Sequence, residues 1–185
     1  MMLGSPMKIC AYHGTLKKNV EGIQRDGFKI SEGVHQWFGD GIYFFETLKT
    51  PESEIISDGF EEAKNWVIYV KHCRDWAVFK VCIKTNSFID LVGCEDDKKL
   101  FKQIRKEAKE LHDRSKRRNE PFREQLIYHL LRCNKPNIDF IRVLVNADRY
   151  GRFISESYTN VHPQVQICVV NGDCIKEITL CQGEI

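Results

Sequence analysis

Two stretches in the first quarter of the chain decide which fold can be expected: Tyr12-His13-Gly14-Thr15 and Phe38-Gly39-Asp40-Gly41-Ile42-Tyr43-Phe44. The first stretch closes the apolar run from Lys8 to Tyr12, a pattern that predicts a short buried strand. A His-Gly-Thr turn is then expected between this strand and the segment that follows.

The segment after this turn has the pattern of a helix. Leu16, Val20 and Ile23 recur at helical spacing, and Gly27 supplies a common helix stop. The second stretch then places a glycine-rich turn before the aromatic strand that begins at Ile42. The first third of the chain is therefore predicted to run strand, turn, helix, turn, strand.

The rest of the chain mixes helical and strand patterns. Helical spacing predicts a helix over Phe60 to Lys71, with Trp66 on or beside its buried stripe. Alternation predicts a strand over Trp76 to Lys84. A charged helix from about Asp96 to Asn119 and a shorter one over Phe122 to Leu131 are predicted on either side of Pro121.

The C-terminal part contains two further strand candidates. These are Val165 to Val170 and Cys174 to Leu180, joined by Asn171-Gly172-Asp173. Asn-Gly between apolar runs is typical of a β-hairpin. The sum is an α+β fold with strands at both ends of the chain and helices inserted between them.

Composition and length favour one domain. With 185 residues, 42% of them apolar, the chain can bury one core and is too short for two ordinary domains. We therefore expect residues 1–185 to form a single domain, in which about 95–135 is a basic helical insertion.

Several classes of protein are disfavoured by what the sequence lacks. The eight cysteines form no C-x-x-C pair, no H-E-x-x-H motif occurs, and no apolar stretch approaches the roughly 20 residues of a membrane span. Met1 to Met7 has no secretory-signal pattern. We expect reduced thiols in a cytoplasmic protein, with no metal and no membrane association.

Charge is unevenly distributed along the chain. The formal net charge is +2, yet Lys98 to Arg123 holds eleven Lys/Arg against four Asp/Glu, which leaves the remainder at −5. A segregated basic segment attracts polyanions such as nucleic acid, although a solvated helix face has the same pattern. Both interpretations of the basic segment remain open.

Each glycine-containing stretch has an ordinary explanation when it is taken singly, as a tight turn next to a core strand. In this order and spacing, however, they resemble the ADP-ribosyltransferase superfamily, on its diphtheria-toxin and poly(ADP-ribose)-polymerase side, whose signature is a His, Tyr, Glu triad. The family pattern continues with a helix that carries an aromatic residue, which corresponds here to Ala63 through Trp66. The region from about Phe88 to Tyr158 has no counterpart in the family pattern.

The resemblance implies NAD as co-substrate, with no metal, and a fold of split antiparallel β-sheets with flanking helices. By the family pattern, His13 would hydrogen-bond a ribose hydroxyl of the adenosine half of NAD, and the backbone of Gly14 would bind the nicotinamide carboxamide. Tyr43 would stack on the nicotinamide ring, with Trp66 covering its other face. Thr15 would support the turn or contact a ribose.

The third residue of the triad departs from the family pattern. Alignment of the strand that contains Gln166 puts this glutamine where the family has its Glu. An amide can hydrogen-bond a ribose hydroxyl, but it brings no negative charge to the oxocarbenium-like ribose and cannot act as a general base. Single transfer is then expected in place of chain elongation, with Glu156 as candidate base and Gln164 as an acceptor-orienting residue. Ordinary exposed strand positions are the alternative explanation for the two glutamines.

The acceptor is predicted from the basic insertion. Four of its residues are the candidate acceptor-binding set: Arg114, Lys116, Arg117 and Arg118. They favour nucleic acid, especially RNA, with a protein acceptor as the alternative. The whole suggests an intracellular toxin or phage-defence effector with a possible antitoxin protein as partner.

Two rival functions remain open. A catalytically inactive NAD- or ADP-ribose-binding module would keep the pocket and lose the Glu. An NAD-dependent RNA phosphotransferase shares the His-Gly-Thr turn, but the Gly-Ile-Tyr-Phe strand argues against it.

Overall fold

The protein is described by a computed structural model over residues 6–33, 36–52, 54–115, 122, 125–147 and 162–181. Its centre is a seven-stranded mixed sheet, and two further strands form a separate ribbon. The α+β expectation is confirmed at this level.

The elements, in chain order, alternate strands with short helices before a longer helical segment. They are β1 (Met7–Leu16), α1 (Val20–Asp26), β2 (Ile42–Glu46), β3 (Leu48–Lys49), β4 (Ile55–Ser57), α2 (Gly59–Asn65), β5 (Trp76–Thr85), β6 (Phe88–Asp90), α3 (Glu95–Arg114), α4 (Gln125–Asn134), β7 (Phe140–Ala147), β8 (His162–Val169) and β9 (Ile175–Cys181). The strand order of the large sheet is β6-β7-β8-β2-β1-β5-β9, and β3 and β4 form the ribbon. Within the described residues, no helix is long and apolar enough to cross a membrane.

The His-Gly-Thr segment lies inside a strand, so the predicted turn is wrong. β1 pairs with β5 without interruption from Met7↔Thr85 to Leu16↔Trp76, and His13 lies opposite Phe79. The long apolar face of β5 provides this continuous partner, which holds the segment extended. The chain turns only after Leu16, through a 3-10 turn that leads into α1.

In the large sheet, the paired length of neighbouring strands is shortest between β1 and β2. These two strands pair only at Ala11↔Glu46 and Tyr12↔Phe45, whereas β2 pairs with β8 along its whole length. The two strands therefore part at His13, and β1-β5-β9 and β6-β7-β8-β2 form two wings joined by a short seam.

One face of each wing contributes to a shared core. Because side chains alternate along a strand, Ile9 and Ala11 of β1 point to the same side, where they cluster with Phe44 and Ile167 from the other wing. On the opposite side, α2 packs against β1 and β2, and α3 and α4 cover β6, β7 and β8.

The C-terminal hairpin prediction is also wrong. β8 lies between β7 and β2, whereas β9 pairs with β5 at the far edge of the sheet, with Val81↔Ile178 in register. Asn171 donates from its backbone and side-chain nitrogens to Asp139, and the chain then crosses to the free edge of β5. The Asn-Gly pair therefore marks a crossover between two sheet positions.

The helical segment between β6 and β7 is present as predicted, with shifted ends. Its helices α3 and α4 bury Ile104, Ile127 and Leu131 against the sheet. β7 is a strand that the sequence patterns did not predict.

Candidate active site

His13 lies where β1 and β2 part. Its Nδ1 is 2.8 Å from the backbone carbonyl oxygen of Tyr43, and its ring packs edge-on against Phe28 at 4.9 Å between centroids. Burial lowers the pKa of His13, which favours the neutral ring. Because a carbonyl oxygen can only accept, Nδ1 carries the proton, and Nε2 is the acceptor of this imidazole.

The Tyr43 side chain lies on the face of the sheet opposite to His13, where it holds the glycine-rich loop. Its hydroxyl donates to the carbonyl of Gly39 at 2.7 Å and accepts from the backbone N–H of Phe38 at 3.1 Å. Its ring stacks on Phe38 at 5.8 Å. Burial raises the pKa of Tyr43 far above its usual range, so the phenol stays neutral. In this structure, the predicted nicotinamide-stacking residue is an anchor for the loop.

Two positions of this loop require glycine, Gly39 because of its backbone conformation and Gly41 because of close packing. Gly39 has φ +84°, a left-handed conformation that favours glycine. A Cβ on Gly41 would lie 2.4 Å from the Cys168 sulfur. Arg132 of α4 donates to the carbonyl of Asp40 at 2.8 Å and to the Cys168 sulfur at 3.2 Å, which ties the loop to the helical segment.

Gly14 is explained by helix packing as well. A Cβ at this position would lie 1.8 Å from the carbonyl oxygen of Ala63 in α2, so the helix sits directly on the strand. The side chain of Asp58 caps α2, accepting from the backbone N–H of Phe60 at 3.1 Å. The close approach predicted for nicotinamide at Gly14 is made here by α2, on one side of the strand.

Thr15 and Trp66 flank this arrangement. Thr15 accepts a hydrogen bond from Asn19 at 3.1 Å through its hydroxyl, which braces the start of α1. Trp66 begins a π-helical turn directly after α2 and lies 6.5 Å from Phe45 between ring centroids. Trp66 therefore lies near the seam, on the same side of the sheet as α2.

Gln164 and Gln166 are buried, with exposures of 1% and 4%. Their interpretation as ordinary exposed strand positions is therefore wrong. Gln166 lies opposite Phe45 of β2, and its Nε2 donates to Gln164 Oε1 at 3.2 Å. The amide of Gln164 in turn donates to the carboxylate of Glu62 in α2.

Glu62 is the site residue that the sequence patterns missed. Burial, followed by repulsion from Asp58, raises its pKa to about 7, against the opposing effect of the hydrogen bond from Gln164. Glu61 and Glu62 are adjacent in the sequence, and nothing in the pattern distinguishes the exposed one from the half-buried one. Only the docking of α2 on β8 shows which carboxylate enters the site.

A second ionic cluster lies at the end of β2 and was also missed. Arg142 of β7 donates to Glu46 at 2.6 and 2.9 Å and to Asp90 at 3.1 and 3.3 Å. All three side chains are largely buried. This cluster connects β2, β6 and β7 and stabilises the sheet next to the seam.

The remaining predicted residues are outside this region or outside the described residues. Arg114 lies at the exposed end of α3, 3.9 Å from Glu110. Glu156, Lys116, Arg117 and Arg118 lie outside the described residues. A cavity of about 500 Å³ opens elsewhere, on the exposed side of β1, β5 and β9, lined by Lys8, Cys10, Lys80 and Cys82 among others. It contains none of the predicted site residues.

Comparison with known proteins shows a distant similarity. The chain is 25% identical over 201 residues to the uncharacterised protein MJ0359 of Methanocaldococcus jannaschii, with 94% of this chain and 87% of that protein covered. No protein-family model and no solved structure matches the chain.

Proposed function

We propose that the protein is an NAD-dependent mono-ADP-ribosyltransferase, which releases nicotinamide and transfers ADP-ribose to a macromolecular acceptor. The observation that carries the proposal is the placement of the three motifs. His13, Tyr43 and Gln166 lie on the neighbouring strands β1, β2 and β8, although 153 positions of sequence separate His13 from Gln166.

The seam between the wings supports this function. β1 stays paired with β5 through this region, but its pairing with β2 ends before His13, next to Gly14, whose backbone was expected to bind the carboxamide. In the proposed function, this parting of β1 and β2 within the one sheet would correspond to the division between the split sheets that the family resemblance implies.

The state of His13 also suits the proposed role. A neutral imidazole that donates from Nδ1 has a fixed ring orientation and presents Nε2 as acceptor for a hydroxyl donor. Ribose hydroxyls are such donors. The ring also contacts the aromatic neighbours Phe28 and Phe44, at 4.9 and 5.6 Å between ring centroids.

The expected reaction depends on positioning and electrostatics. The bond between ribose C1′ and the nicotinamide nitrogen breaks, nicotinamide leaves as a neutral molecule with the bonding electron pair, and the acceptor attacks the cationic ribose. Gln166 supplies no carboxylate for a hydroxyl acceptor, so single transfer is favoured over chain growth.

The acceptor is proposed to be RNA, with protein as the alternative. Helix α3 carries exposed basic side chains along its length, among them Lys102, Lys106, Lys109 and Arg114. Such a surface contacts phosphates without reading sequence.

The experiment uses NAD labelled in the adenylate phosphate, incubated with the pure protein and, separately, with total RNA, DNA or protein. Label in RNA that is lost in a His13→Phe variant supports the proposal. Label in protein would instead identify protein as the acceptor. No label and no released nicotinamide would favour an inactive NAD- or ADP-ribose-binding module.

A further inference from the structure

A chain of three polar side chains connects α2 to the strand that carries Gln166. The Glu62 carboxylate accepts from the Gln164 amide, and Gln164 Oε1 accepts from Gln166 Nε2 at 3.2 Å. Both glutamines are almost fully buried. Buried amides of this kind take the orientation that their hydrogen-bond partners impose.

The direction of this chain is set at its charged end. An ionised carboxylate can only accept, so it draws the NH₂ group of Gln164 toward itself and turns the carbonyl of Gln164 toward Gln166. That carbonyl draws the NH₂ group of Gln166 in the same sense. The carbonyl oxygen of Gln166 is then the acceptor that the amide can offer to a further group.

We propose that Glu62 is a positioning residue for ADP-ribosyl transfer: through Gln164 it orients the Gln166 amide as an acceptor for a ribose hydroxyl, and it supplies the negative charge that Gln166 lacks. The inference rests on the proposed function. In this proposal a carboxylate on the adjacent helix α2 takes the place of the triad Glu, whose position on β8 is occupied by Gln166. Glu62 does not contact the reacting atoms and takes no proton in the transfer.

The transfer itself balances without a further reactant. The C1′–N bond to nicotinamide breaks with both electrons on the leaving nitrogen, and a lone pair of the acceptor forms the new bond to C1′. The acceptor releases its proton to solvent. An ionised Glu62 behind two oriented amides stabilises the positive charge that develops on the ribose.

Protonation of Glu62 would remove this orientation. A neutral carboxyl can donate to Gln164, which allows both amides to rotate and present N–H in place of C=O toward the ligand. The neighbouring charged groups are Asp58 and Glu61 on its own helix, both acidic, and Gln164 is its polar contact from β8. Because the pKa of Glu62 is about 7, nicotinamide release should increase with pH through this value.

The test compares Glu62→Gln with Glu61→Gln, a change of the adjacent exposed carboxylate, which pairs with Lys64 at 3.0 Å. Nicotinamide release is measured from pH 5.5 to 9. In Glu62→Gln we expect kcat at pH 8 to fall about tenfold, KM for NAD to change less than about threefold, and the rise near pH 7 to disappear. Glu61→Gln should keep the wild-type kcat at pH 8 and should only shift the rise toward lower pH, because it removes a negative charge that raises the pKa of Glu62.

A charge relocation makes the test specific. Glu62→Gln combined with Gln166→Glu moves the carboxylate from the helix to the strand and should restore kcat to at least the wild-type level, because the charge is again beside the ribose. The reference is Gln166→Glu alone: a merely structural Glu62 gives the same loss on Glu62→Gln in that background as in the wild type, whereas an orienting Glu62 gives no loss there.

The outcomes separate this inference from the proposed function. If His13→Phe abolishes nicotinamide release while Glu62→Gln keeps the wild-type rate and pH profile, the role of Glu62 is overturned and the enzyme assignment stands. If the wild type releases no nicotinamide at any pH, both are overturned. Thermal melting of each variant at the assay pH shows whether a lost rate reflects unfolding.

Discussion

His13 and Tyr43 are joined by one hydrogen bond, 2.8 Å from Nδ1 to the backbone carbonyl oxygen, at the place where β1 and β2 stop pairing. The bond fixes the imidazole to the backbone of the neighbouring strand. The Tyr43 side chain points to the other face of β2, because successive residues of a strand alternate. A substitution of His13 therefore tests the seam, and a substitution of Tyr43 tests the glycine-rich loop.

Gly14→Ala should destabilise the protein by about 3 kcal/mol, because the new methyl group would lie 1.8 Å from Ala63 O and displace α2. Gly22→Ala is the matched control. Gly22 lies in α1 with no atom near its Cβ position, so alanine should stabilise by about 0.5–1 kcal/mol. Urea unfolding measures both. Equal effects at the two positions would contradict the packing of α2 on β1.

Tyr43→Phe should destabilise the glycine-rich loop without leaving a cavity in the core. The change removes the hydroxyl that binds Gly39 O and Phe38 N and keeps the ring on Phe38, so a loss of about 1–3 kcal/mol is expected. Hydrogen exchange should show faster exchange at the Phe38 amide. An unchanged exchange rate there would show that the hydroxyl does not hold the loop.

Glu62→Gln should make the protein more stable at pH 8 and leave its stability unchanged near pH 4.5. The folded-state pKa of about 7 lies above the ordinary value of 4.5, so the folded chain keeps a proton that the unfolded chain has lost. Wild-type stability therefore falls as pH rises from 4.5 to 7.

The expected gain at pH 8 is about 1–2 kcal/mol, after allowance for the partial exposure of Glu62. Denaturant unfolding at the two pH values measures it. A loss of stability at pH 8 would mean that Glu62 is held as a stabilising ion.

Replacement of Arg114, Lys116, Arg117 and Arg118 by glutamine should weaken transfer to RNA and leave nicotinamide release unchanged. Removal of four cations from a phosphate-contacting surface should also reduce the salt dependence of RNA binding. Filter binding across a salt series measures this. If RNA labelling and its salt dependence stay as in the wild type, the basic segment is a solvated face.

The sequence patterns predicted most of the elements and few of their connections. β5 shows why the elements are predictable, since its alternation follows from a face that is buried along its length. Asn171-Gly172 shows why the connections are not. The dipeptide predicts a turn locally, but the free edge of β5 decides where β9 pairs, and β5 lies 86 to 95 positions earlier in the sequence than Asn171.

The candidate site was predictable where it depends on local motifs. His13, Tyr43 and Gln166 carry positional signals, and the structure places them on adjacent strands. Glu62 has no such signal, because its burial results from the docking of α2 against Gln164. The packing roles of Gly14 and Gly41 were likewise hidden, since a glycine that approaches a ligand and one that approaches a helix have the same sequence pattern.

The most direct test of the central claim is the rate of nicotinamide release from NAD by the pure protein, compared with His13→Phe and with His129→Ala as the control. His129 is exposed on α4 and far from the seam in sequence, and phenylalanine keeps a ring against Phe28. We predict release by the wild type and by His129→Ala, and a loss of at least about 100-fold in His13→Phe. Release that is equal in all three proteins, or absent from all three, would contradict the assignment of the seam as an NAD site.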